Sequence, residues 1–74
     1  MSKRLTESEV EYIIKRVLAN ANDAFEEGKN SNDDYLNGKK LAYYEMLDTI
    51  KNELIAREIN LERFGLNIEL EKLL

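Results

Sequence analysis

Three glycines and no proline punctuate this chain of 74 residues, and they stand at Gly28, Gly38 and Gly65. Proline and glycine are the strongest breakers of regular structure. A chain with so few of them is committed to long uninterrupted elements. The residues between the breakers are mostly good helix formers, and the apolar ones recur at spacings of three and four. The expected fold class is therefore all-α.

The first helix carries a start signal. In "TESE", Thr6 stands at an N-cap position with Glu9 three residues later, the pattern of a capping box. "SEVE" offers a second box with Ser8 and Glu11, which leaves the start open by two residues. Leu5 and Val10 would form a hydrophobic staple around Thr6. Glu7, Glu9 and Glu11 suit the positive end of a helix dipole. Val10, Ile13, Ile14, Val17, Leu18, Ala21, Ala24 and Phe25 then continue as one stripe, and Gly28 is a natural C-cap. The spacing predicts a helix over about 7–27. The polar segment "GKNSND" is a connection of ordinary length, and Ser31, Asn32 or Asp33 can cap the next helix. A short loop between long helices gives an antiparallel hairpin.

The second helix is expected over about 34–63. Its main stripe is Leu36, Tyr43, Leu47, Ile50, Leu54 and Leu61, with Met46 on the flank. Gly38 interrupts it at a cost of roughly 1 kcal/mol against alanine. That cost suggests either a close approach by another group or a loosely wound first turn. Glu53 and Arg57 form an i,i+4 pair in the favourable order. Gly65 ends the helix. The tail "LNIELEKLL" is ambiguous: Leu66, Ile68 and Leu70 alternate like a strand, while Leu66, Leu70, Leu73 and Leu74 sit at helical spacing. A lone strand would have nothing to pair with, so a short helical segment over about 67–74 is the expectation.

The long helix has a second apolar side. With Ile50 set at zero on a 100° wheel, Leu41, Tyr44, Ile55 and Ile59 fall at roughly 120–180°. A two-helix hairpin buries one stripe only. A chain of this size buries only about 60% of its unfolded surface, and its single core seldom yields more than roughly 3–5 kcal/mol. Four large side chains at about 1.5–3 kcal/mol each are too much to leave in water. A helical tail starting at Gly65 would span about 12–13 Å, enough to cover Ile59 and Ile55, whereas Leu41 lies about 27 Å from Ile59 along the axis, so the tail alone cannot cover the full stripe. The candidate interface is therefore Leu41, Tyr44, Ile55, Ile59 and Leu66. Its cover is expected to be a second copy of the chain, a dimer in the simplest case, or a different protein. Tyr35 is a further exposed aromatic candidate.

Composition narrows the chemistry. There is no cysteine and no histidine, which removes disulfides, thiolate metal sites and the commonest general base. No cofactor or metal is expected. The net charge is −4, an unfavourable balance for binding phosphate backbones, so nucleic acid is not an expected partner. The basic doublets Lys3–Arg4, Lys15–Arg16 and Lys39–Lys40 read as solvated surface. The segment "MSKRLTESEVEY" has no apolar run after its basic residues, and no long apolar span comes after it. The expected location is cytoplasmic, with no membrane partner. Glu26–Glu27 and Asp33–Asp34 lack the spacing of a calcium loop and read as surface pairs. Asp48 alone stands among apolar neighbours. It could be a functional carboxylate, or it could pair with Lys51 or Asn52 at a rim.

Two resemblances add to this. Gly38, Lys39, Ala42, Tyr43, Tyr44 and Glu45, followed by Gly65 and Leu66, resemble a pattern of small uncharacterised bacterial helical proteins, a likeness that implies kinship but no activity. "YEMLDTI" is similar to the signature of helical-hairpin phosphatases that act on phosphorylated sporulation response regulators, through Leu47 and Asp48. The serine of that signature has no counterpart here. That resemblance implies an aspartyl-phosphate phosphatase using Asp48. A further alternative is inhibition of a basic partner through an acidic surface, although the carboxylates are scattered in sequence. The leading expectation is a non-enzymatic interaction or regulatory module that self-associates.

Overall fold

The computed structural model describes residues 4–74. Two α-helices, α1 (Glu7–Glu27) and α2 (Asp34–Ala56), pack against each other as an antiparallel hairpin. Two short 3-10 turns come after them, Leu61–Phe64 and Leu70–Leu73.

The start of α1 is the expected capping box. The Thr6 hydroxyl accepts from the Glu9 N–H at 3.1 Å, and the Glu9 carboxylate accepts from the Thr6 N–H at 2.9 Å. Two of the helix's orphan donors are thereby satisfied. Gly28 caps the other end in a right-handed conformation, φ −85°, so a positive φ is not why glycine stands there. The reason is space: a Cβ would sit 2.9 Å from the Lys40 side chain and 3.3 Å from the Leu36 carbonyl. The left-handed residue of this loop is Asn30, φ 59°. Asp33 then caps α2 by accepting from the Tyr35 and Leu36 N–H groups at 2.8 and 3.3 Å. Gly38 has nothing within 4 Å of a would-be Cβ, so no close approach requires it.

The second helix is shorter than its sequence pattern suggests. It stops at Ala56, whereas the apolar spacing runs on to about residue 63. The stop is a Schellman motif. Glu58 adopts φ +57°, the Ile59 N–H donates to the Leu54 carbonyl at 2.9 Å, and the Glu58 N–H donates to that of Ile55 at 2.9 Å. No glycine or proline announces it. A side chain in this conformation costs roughly 1–2 kcal/mol. The burial gained beyond the turn outweighs that cost. Ile59 and Phe64 fold back to line one cavity with Leu54 and Val10. Asn60 caps the first 3-10 turn through the Glu62 N–H at 3.0 Å.

Gly65 makes the next turn with φ +74°, and a Cβ there would meet Leu18 at 3.1 Å. This position needs glycine both for its backbone and for its neighbour. The turn drops Leu66 into the interior. The tail then runs back along α2. Lys51 donates to the Ile68 carbonyl, and the Tyr44 hydroxyl donates to Glu71 at 3.4 Å. Leu73 lies in a cleft with Phe25 and Lys40. Between the first two contacts, three tail residues keep pace with seven of α2. Seven helical residues rise about 10 Å, whereas three would rise only about 4.5 Å if the tail were helical. Extended backbone closes the difference. The tail reaches much further along α2 than a helical segment could, and only Leu70–Leu73 is helical, as a 3-10 turn.

The core combines Ala21 and Phe25 of α1, Leu47 and Leu54 of α2, and Phe64, Leu66 and Leu70 of the C-terminal segment. Three of these seven come from the last eleven residues. Arg63 adds an ion pair to Glu7 at 3.2 Å and another to Glu11, which ties the segment to the first turns of α1. These contacts raise the Arg63 pKa further, led by the hydrogen bond to Glu7, and the guanidinium stays charged throughout.

Candidate interaction surface

The C-terminal segment divides the hairpin into a covered flank and an open one. The five residues read from sequence as an interface all belong to the tail side, and three of them are covered. Leu66 is the clearest correction. It is 0% exposed and belongs to the core, because Gly65 turns it inward beneath the chain's own tail. Tyr44 and Ile59 are half-buried and pack against that core. Leu41 and Ile55 remain 49% and 53% exposed. They stand fourteen residues apart, about 21 Å along α2, and do not form one patch. Tyr35 is exposed.

Around Tyr44 the covered flank is polar at its edge. Partial burial pushes the Tyr44 phenol above its ordinary range, and the carboxylates of Glu71 and Asp48 push it the same way. It therefore stays protonated near neutrality and can donate to Glu71. Asp48 is half-buried and accepts from the Asn52 amide at 3.3 Å. Of its two expected partners, Asn52 is the one it bonds; Lys51 is turned to the tail instead. No histidine or cysteine exists to act beside it.

The open flank is absent from the interface expected on sequence, although its signal is there. Lys39, Met46 and Glu53 recur every seven residues. They lie about 100° round α2 from Leu47, on the side away from Tyr44 and Lys51. Tyr43 and Ile50 sit between this row and the core, half-buried. Lys39 reaches across to Glu27 of α1 in an ion pair of 3.4 Å. On α1, Ile13 precedes Glu27 by fourteen residues and lies within about 40° of it, so it faces the same flank. Ile13 is 47% exposed and Met46 is 43% exposed. Next to Ile13, a shallow groove of about 290 Å³ is lined by Leu5, Ser8, Glu9 and Tyr12.

The other charged features are separate. Lys15 and Arg16 are exposed on α1, Lys40 packs toward Gly28, and Lys3 lies outside the described residues. A cleft of about 410 Å³ brings Lys29, Lys40 and Lys72 around Phe25 and Leu73, but Glu26 shares its lining and Lys72 is paired with Glu69. Asp33 is engaged as a helix cap and Glu27 pairs with Lys39. Among the described residues, no three carboxylates converge on a point where a metal could bind, and no helix is long and apolar enough to cross a membrane.

These features place the chain among two-helix hairpins, closed on one flank by its own C-terminal segment and open on the other. No family model, curated protein or solved structure matches the chain.

Proposed function

We propose that this chain is a small cytoplasmic interaction module, non-enzymatic, whose working form is a self-associated bundle with the dimer as its unit. One observation carries the reading. The tail covers one flank of the hairpin, while the other leaves Ile13 and Met46 substantially exposed above half-buried Tyr43 and Ile50. Apolar side chains left in water on an uncovered flank are available to an interaction face. A second layer would give the hairpin a two-sided core of the kind that helix bundles use.

The test is light scattering with sedimentation at micromolar concentration. A dimer that dissociates on dilution is the expected result. A folded monomer at every concentration would overturn self-association and leave the open flank for a different protein.

A further inference from the structure

Resting on that reading, we infer that the second copy docks α2 against α2, antiparallel, about a two-fold axis passing beside Met46. Lys39, half-buried, and Glu53, exposed, stand seven residues on either side of exposed Met46 in the same row of α2. A heptad step returns almost to the same face of a helix, with a drift of about 20°. A two-fold axis perpendicular to α2 at Met46 therefore brings Lys39 of one copy opposite Glu53 of the other, and does so twice. A parallel packing of the same rows would place Lys39 against Lys39 and Glu53 against Glu53. Charge selects the antiparallel arrangement, because like charges held opposite one another disfavour a pairing while opposite charges set its register.

The surface between the two charges suits close approach. Tyr43 and Ile50 border the row on its inner side and Met46 lies at its centre. On the outer side stand Ala42 and Thr49. Thr49 turns its hydroxyl onto the Glu45 carbonyl at 3.0 Å, which leaves its methyl group to face a neighbour. Small residues beside a row of larger ones let helices pack at 8–10 Å between axes. The existing partners of the two charges are no obstacle. Lys39–Glu27 and Glu53–Arg57 are solvent-accessible pairs, a type worth little, and each residue can reach a second partner at the rim. The tail-side residues Leu41 and Ile55 offer no comparable arrangement, since neither a symmetric charge pair nor a continuous apolar row joins them.

The chain's lack of cysteine makes the test direct. Met46→Cys places one thiol per copy beside the proposed axis, within the roughly 7 Å between Cα atoms that a disulfide tolerates. Mild oxidation of the folded variant should give a covalent dimer, and Leu41→Cys should not. Lys39→Glu and Glu53→Lys should each weaken dimerisation about ten-fold. The double exchange should restore it to within about three-fold of the parent, as judged by sedimentation with circular dichroism as a check on folding. A parent dimer whose Met46→Cys form stays uncrosslinked, and whose double exchange is no better than the singles, would overturn this surface while leaving self-association standing. A parent that remains monomeric at every concentration would remove both.

Discussion

The chain reverses direction twice on a residue other than glycine with positive φ, at Asn30 and at Glu58, and the two reversals have different origins. At the first, every local preference agrees. Asparagine tolerates the left-handed region, Gly28 admits Lys40 without a clash, and Asp33 caps the next helix. At the second, nothing local favours a stop. Glu58 is a good helix former in a sequence that keeps helical spacing through Leu61. The helix ends there because Ile59, Phe64, Leu66 and Leu70 gain more by folding back than by continuing outward. One turn arises from its own residues, and the other is imposed by residues up to a dozen positions away.

The contrast between the two turns can be broken most decisively at Leu66. Leu66→Ala should cost about 2–5 kcal/mol, enough to unfold much of so small a domain, as measured by urea denaturation. A loss below about 1 kcal/mol would mean that the tail does not hold the second turn in place. Gly65→Ala comes next. Its left-handed backbone and the nearby Leu18 methyl predict a loss of about 1–2 kcal/mol in the same titration. Glu58→Gly should move in the opposite direction. It relieves the positive φ at an imposed turn, and a gain of about 1 kcal/mol is expected, seen as a rise in the denaturation midpoint. Gly38→Ala probes the locally specified part of the chain, where the site is open and helical, and should add about 0.5–1 kcal/mol.

The smallest effect concerns the tail's polar edge and is read by pH. The Tyr44 pKa is raised in the fold above its ordinary value of 10.0, so above pH 10 the unfolded chain releases this proton first. Stability should therefore decline as pH climbs past 10. Tyr44→Phe should decline less steeply over that interval, which parallel thermal melts at about pH 9 and 11 would reveal. Identical slopes for the two proteins would mean that Tyr44 is not held against Glu71 and Asp48 in solution.

The start of α1 is legible in Thr6 and Glu9, and the start of α2 in Asp33, because a cap is made by residues two or three apart. The hairpin is legible in two stripes and a polar loop. The path of the tail cannot be read in the same way. Alternation at Leu66, Ile68 and Leu70 argues for a strand only where a partner strand exists; here Ile68 takes Lys51 of a helix and the 3-10 turn beyond it takes Tyr44. That single difference moves Leu66 from a candidate interface to the core, and shifts the unpartnered surface to the row containing Met46.

The helical class, both helix starts and the two main apolar stripes are thus properties of the amino-acid sequence alone, since they depend on periodicity and on hydrogen bonds between near neighbours. Where α2 stops, how far the C-terminal segment reaches and which flank stays open are properties of the tertiary structure. Those outcomes depend on side chains meeting across long sequence separations, where the free energy of burial is large enough to override the preferences of any one residue.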